Sequence, residues 1–220
     1  DLDQRVRDKL VMDEIYARLL SGLNSGLPGH DAFLEMSGYK RLDIEKARQL
    51  VPPPRESAVL ALIYPRFKIP HIMLMERPEY EGVHSGQISF PGGKSEEYDA
   101  SLQDTALREF SEETGAHAVI EILGQLTPVY IPPSKLMVTP FVGFTHEIGP
   151  LLPDPREVAS LIECPLDHIL RPDIIKHREQ FIQIMGGKIQ VPYFELQGHA
   201  VWGATAMMIA ELRVLLSAKG

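Results

Sequence analysis

The 220-residue sequence holds a single cysteine, a single tryptophan and no long apolar run. Lone Cys164 cannot close an internal disulfide, which fits a reducing compartment, so a cytoplasmic protein is expected. No stretch approaches 18 uninterrupted apolar residues, so neither a membrane span nor a membrane partner is expected. The opening residues Asp1 to Arg5 are charged and polar, unlike a signal peptide. Positive charge is also scarce: 22 Lys and Arg stand against 30 Asp and Glu, a net charge of -8. That balance excludes a whole-surface electrostatic grip on nucleic acid, and an anionic substrate would need a local offset. The 17 Gly and 18 Pro follow no period, which excludes collagen-like and repeat architectures. Ordinary fractions of hydrophobic (44%) and charged (24%) residues exclude wholesale disorder.

The pattern along the chain is mixed α/β. Val6, Leu10, Val11, Ile15, Leu19 and Leu20 recur near the helical period and predict a helix over 3–23. A short helix over 31–37, a charged segment over 42–50 and the stiff run Val51-Pro52-Pro53-Pro54 follow. Residues 1–54 therefore read as a helical N-terminal extension and 55–220 as the main domain. Residues 58–64, 71–75 and 87–90 read as strands, the last stopped by Pro91-Gly92-Gly93. A helix over 101–114 carries the capping-box spacing of Ser101 and Asp104 and a left-handed stop at Gly115. Further strands are expected near 118–126 and 137–145, a hairpin over 178–195 turning at Gly186-Gly187, and a last helix over 203–218. Helices on both faces of mixed sheets are the expected architecture.

Acidic residues concentrate in one segment. Between Gly93 and Ala116 stand Glu96, Glu97, Asp99, Asp104, Glu109, Glu112 and Glu113 against Lys94 and Arg108 only. At ~100° per residue, Glu109, Glu112 and Glu113 share one side of the helix within about 100°. Arg108 lies about 40° from Glu112 and can pair with it. Like charges at these spacings destabilise a helix unless they are solvated or a cation sits among them. Hard divalent cations take carboxylate oxygens together with substrate phosphates, so the face suits a Mg²⁺ or Mn²⁺ platform for a polyphosphate. Taken alone, the same glutamates read more readily as a solvated helix face.

Arg108-Glu109-Phe110-Ser111-Glu112-Glu113-Thr114-Gly115-Ala116, opened by Gly93, resembles the Nudix box, G-x5-E-x7-R-E-U-x-E-E-x-G-U. Fourteen residues separate Gly93 from Arg108 where the box has thirteen, and Ala100 stands where it has a glutamate. Asp99, Glu97 or Glu96 could stand in, and spacing does not choose among them. The resemblance implies a Nudix-type α/β/α sandwich and hydrolysis of a diphosphate linkage. It makes Glu109 and Glu113 the principal metal ligands and Glu112 a third ligand or the water-activating base. Gly93 would contribute its carbonyl, and Arg108 would fix the direction of Glu112. Glu157 is a further candidate base, although an acid there also suits the first turn of a helix.

The stretch before the box is similar to the coenzyme A pyrophosphatase branch. Arg77, His84, Gly86, Phe90 and Gly92 match its pattern and are implied substrate-binding residues. Leu27-Pro28-Gly29, Met36 and Val201 to Ala206 resemble that branch too, as does the extra residue after Gly93. The sequence departs from the pattern at Met75, Glu81 and Gly82, and Gly82 removes an arginine that could contact phosphate. Arg66, Lys68 or Lys135 could replace that charge. The partner implied is a small nucleotide, coenzyme A or a derivative, cleaved to 3′,5′-ADP and 4′-phosphopantetheine. Alternatives are a Nudix pyrophosphatase acting on ADP-ribose or another nucleoside diphosphate derivative, and a non-catalytic nucleotide sensor. The N-terminal extension offers a surface for a homodimer. Trp202 could stack on a base or pack in the core, and Met207, Met208 and Cys164 read as packing residues.

Overall fold

The computed structural model describes residues 2–79, 81 and 86–217, with side chains from residue 11 onward. Three helices come first: α1 (Leu2–Asn24), α2 (His30–Phe33) and α3 (Ile44–Arg48). Two long strands follow, β1 (Arg55–Arg66) and β2 (Ile69–Glu76). The short strands β3 (Ile88–Ser89) and β4 (Gly92–Lys94) then lead into α4 (Leu102–Thr114). Next come β5 (Glu121–Gln125), β6 (Val129–Ile131), β7 (Leu136–Phe144), β8 (Ser160–Pro165) and α5 (Leu166–Leu170). The chain ends in β9 (Ile175–Ile182), β10 (Gly187–Leu196), β11 (His199–Val201) and α6 (Gly203–Ser217).

β1 organises the molecule. It lies parallel to β7 and antiparallel to β2 and β4. β3 and β8 extend the sheet beyond β2, and β5 and β6 pair with β7. From Ser57 to Tyr64 every residue of β1 is buried, as a strand covered on both faces requires. Alternation sends Ala58, Leu60, Leu62 and Tyr64 to the side where Ala106 and Phe110 of α4 pack. Val59, Ala61 and Ile63 point the other way, into a core built with Leu19 of α1, Phe33, Met36 and the apolar face of α6. The result is the expected sandwich: a mixed sheet between α4 on one face and α1 and α6 on the other. β9, β10 and β11 form a separate three-stranded sheet.

Local sequence explains the ends of α4. The Asp104 amide donates to Ser101 Oγ at 3.2 Å, and the Ser101 hydroxyl donates to Asp104 Oδ2 at 2.8 Å. Gly115 closes the helix with φ 68°, and its amide donates to Ser111 O at 2.9 Å. A side chain at Gly115 would meet the Leu152 carbonyl at 2.4 Å. The loop after β7 is sewn to this end: the Leu152 amide donates to Thr114 O and the Asp154 amide to Glu113 O.

Several expectations need correcting. Gly92-Gly93 does not merely stop a strand; with Lys94 it pairs against Ser57, Ala58 and Val59 of β1. The short helix expected over 31–37 covers only His30–Phe33, and β11 adds a third strand to the expected hairpin. Residues 154–158 turn without forming a helix, so Glu157 has no helix-start role. Met207, Met208 and Cys164 are buried as read, and burial pushes the Cys164 thiol up to about 11.

Candidate active site

Glu109 and Glu113 stand one turn apart on α4 and face β4. Glu113 is 2% exposed. Its Oε2 accepts the Gly92 amide at 2.9 Å, and Oε1 lies 3.6 Å from Arg77 Nη1. Burial raises its pKa to about 7, against the opposing pull of Arg77 and the Gly92 amide. Glu109 and Glu157 push in the same direction as burial. Glu109 is raised as well, first by burial, while Arg108 pulls it down. Its carboxylate lies against the α-carbon of Gly93, where a Cβ would come within 2.5 Å of Oε1. Only glycine admits this approach. The Ser57 hydroxyl donates to Gly93 O at 2.7 Å and fixes the carbonyl's direction.

Arg108 ties the acidic helix to the loop before it. It donates to Asp99 Oδ1 from Nε at 2.8 Å and to Asp99 Oδ2 from Nη2 at 2.9 Å. Nη1 donates to Glu109 Oε1 at 2.9 Å and to Glu112 Oε2 at 3.1 Å. Asp99 thus fills the place left by Ala100, with Thr105 Oγ1 and the Glu96 amide also donating to it. The Arg108 hydrogen bonds hold Asp99 well below the usual carboxylate range. The expected pairing of Arg108 with Glu112 is present, but the two-pronged grip is on Asp99, which helical angles could not reveal. The side chain of Glu112 is half exposed and is not among the described residues lining the cleft.

Glu109 and Glu113 open onto a cleft of about 760 Å³. Arg77, Phe90, Gly92 and Gly93 line it, and so does Glu157, carried there by the loop sewn to the end of α4. Arg77 Nη2 also donates to Gly92 O at 3.1 Å. Gly86 does not line the cleft; it sits in a turn at φ 64°, its amide donating to Pro78 O. His84 lies outside the described residues. Arg66 is drawn to Glu163 at 2.6 Å, and neither Lys68 nor Lys135 lines the cleft. The cations that do line it, besides Arg77, are Arg41, Lys94 and Arg156. Arg41 and Tyr39 precede the proline run, and no local signal in the sequence indicates that this segment returns to the cleft. Trp202, half-buried, lines the cleft too.

The donors suit a hard divalent cation. Five acids line the cleft, Glu79, Glu96, Glu109, Glu113 and Glu157; they offer oxygen only, and the repulsion that Glu109 and Glu157 exert on Glu113 is what a bound cation would relieve. Among the described residues no three acidic, histidine or cysteine side chains already converge as a cation cage.

The model of the NUDIX domain matches residues 54–184. The chain belongs to the Nudix family. It is 36% identical over 172 residues to the uncharacterized Nudix hydrolase NudL of Photorhabdus laumondii, covering 74% of this chain and 90% of that protein. A relative of the same name from Yersinia pestis is 35% identical over 205 residues, with 93% and 96% covered. The fold is shared with a MutT/nudix family protein from Enterococcus faecalis at TM-score 0.50 and 15% identity, across 81% of this chain and 65% of that one. The chain is thus a Nudix hydrolase acting on phosphoanhydride bonds, in a family that generally uses divalent metals. No described helix is long and apolar enough to cross a membrane.

Proposed function

We propose that this chain hydrolyses the diphosphate linkage of coenzyme A or its derivatives, with Mg²⁺ or Mn²⁺, to 3′,5′-ADP and 4′-phosphopantetheine. The observation that carries the reading is the buried Glu113 carboxylate, held by the Gly92 amide beside Glu109 and Arg77 in one cleft. Arg77 and Gly92 belong to the run that resembles the coenzyme A branch, and about 760 Å³ accommodates a large nucleotide.

Glu109 and Glu113 would hold the cation, with the Gly93 carbonyl beside them. Glu112 would join as a third ligand on releasing Arg108. A bound divalent cation supplies charge neutralisation for the diphosphate and lowers the pKa of water. The chain's own groups do the rest. Arg108 fixes Glu109 while anchored on Asp99, so the carboxylate's direction is set before substrate arrives. The Gly92 amide occupies one Glu113 oxygen and leaves the other for the cleft. Arg77 faces Glu113 and would meet a phosphate oxygen there. Glu157 or Glu112 would take the proton of the attacking water. Water oxygen bonds to one phosphorus, the bridging P–O bond breaks, and the other phosphate leaves.

The test is a product assay on coenzyme A, ADP-ribose and a diadenosine polyphosphate, each with Mg²⁺, Mn²⁺ or chelator. Release of 3′,5′-ADP from coenzyme A, dependent on the cation and well above the other substrates, is expected. Preferred turnover of ADP-ribose or the dinucleotide would overturn the substrate. Binding without turnover of any would favour a sensor.

A further inference from the structure

Arg41 differs from the other cations of the cleft. Arg77 faces Glu113, Arg156 is occupied by Asp154 at 2.7 Å, and Lys94 is exposed to solvent. Arg41 is mostly buried, yet none of the described residues accepts a hydrogen bond from it. Its Nε is buried with no hydrogen-bond partner among the described residues, and its Cζ lies 4.9 Å from the centroid of the Tyr39 ring. A buried guanidinium without an acceptor is costly to keep. Burial lowers its pKa, against an opposing pull from Tyr39. Among the described residues Arg41 makes no ion pair with Glu109, Glu113 or Glu157, although all of them line the same cleft. Arg41 marks a second electrostatic centre in the same cleft, separate from the carboxylates.

The surroundings indicate what fills it. Arg41 Nη2 would lie 3.9 Å from a Cβ on Gly203, so its fork sits beside the first residue of α6. Trp202 precedes that residue and lines the cleft, as do Tyr39, Ala204 and Thr205. Ser89, also lining the cleft, has a buried hydroxyl with no partner. A planar fork with unused donors matches phosphate oxygens, and the aromatic rings of Tyr39 and Trp202 that line the cleft suit a nucleobase.

We infer that Arg41 binds a phosphomonoester carried on the ribose of the nucleotide half, and so selects substrates with a phosphate beyond the diphosphate. The inference rests on the reading of the cleft as a nucleotide diphosphate site and deepens it. For coenzyme A the group is the 3′-phosphate. Arg41 is then the positive charge that the loss of arginine at Gly82 left unassigned, supplied from the segment before the proline run.

Two readouts separate this inference from the hydrolysis reading. Calorimetry would compare adenosine 3′,5′-bisphosphate with AMP on wild type, Arg41→Met and Arg41→Lys. Wild type should bind the bisphosphate about 10- to 100-fold tighter, as charge-assisted hydrogen bonds allow. Arg41→Met should bring the two ligands within about twofold, with AMP affinity unchanged, and Arg41→Lys should restore part of the gap. In kinetics, the same variants should lose kcat/KM on coenzyme A through KM, with dephospho-coenzyme A unaffected. Equal losses for both ligands, or a preference that survives Arg41→Met, would overturn the inference. So would a wild type without preference, a result that needs no folded variant. Bisphosphate preference without coenzyme A cleavage would instead sink the hydrolysis reading and leave the subsite standing.

Discussion

The decisive residue is Glu113, because the fold buries it and then gives it only partial relief. Its pKa rises from 4.5 to about 7. A carboxyl with a raised folded pKa keeps its proton in the folded state at pH values where the unfolded chain has lost it. Stability without cation therefore falls as pH rises from about 4.5 to about 7, then stays lower. At 1.36 kcal/mol per unit the penalty is on the order of 3 kcal/mol. A bound divalent cation removes it, so the thermal shift produced by Mg²⁺ should grow between pH 5 and pH 8. Glu113→Gln should flatten that dependence. A shift independent of pH in wild type would show that Glu113 is not the group relieved.

Asp99 acts on the carboxylates of α4 through Arg108. It anchors Arg108, which orients Glu109 and Glu112. Asp99→Asn should leave the protein folded while lowering kcat by about 10- to 100-fold, the usual effect of losing an outer-shell partner. Unchanged kcat would mean Arg108 holds its place through Glu109, Glu112 and the Lys94 carbonyl alone. The sequence offered Asp99, Glu97 and Glu96 as equals here. The choice depended on how the loop before α4 folds back, which no spacing rule contains.

At the scale of elements, glycines separate function from stability. A Cβ on Gly93 meets the far end of a flexible Glu109 side chain, whereas a Cβ on Gly115 meets the Leu152 backbone at a positive φ. Gly93→Ala should therefore displace the carboxylate and cost activity by about 10²-fold with little change in thermal midpoint. Gly115→Ala should instead destabilise by about 1–3 kcal/mol. Equal thermal losses would show that β4 cannot yield at Gly93. α6 is held in a comparable way. Buried Glu211 accepts from the Gly29 amide at 2.8 Å and from the Thr127 amide and hydroxyl at 2.6 Å each. Glu211→Leu leaves three donors unpaired and should cost on the order of 3–5 kcal/mol in urea unfolding. A change below about 0.5 kcal/mol would place the linkage elsewhere.

Elements with a strong period or a strong cap were legible in the sequence. The apolar run of β1, the capped α4 and the Ala- and Met-rich α6 were read within a few residues. β6 and β11, three residues each, carry too little pattern to register, and β8 interrupts its apolar positions with Glu163. The box carboxylates were legible because their spacing lies within one helix. Arg41, Asp99 and the position of Glu157 were not, because each depends on a return of the chain.

For the molecule as a whole, a net charge of -8 must coexist with an anionic substrate. Arg77, Arg41, Lys94 and Arg156 bring positive charge to the cleft, and the proposed cation on Glu109 and Glu113 would add to it. The central claim is that the carboxylates of α4 form the hydrolytic centre. The most direct measurement is coenzyme A turnover against Mg²⁺ concentration for wild type and Glu113→Gln. Wild type should release 3′,5′-ADP only with the cation, and the folded variant should show a kcat about 10²–10⁴-fold lower. Wild-type turnover by folded Glu113→Gln, or turnover that survives chelation, would contradict it.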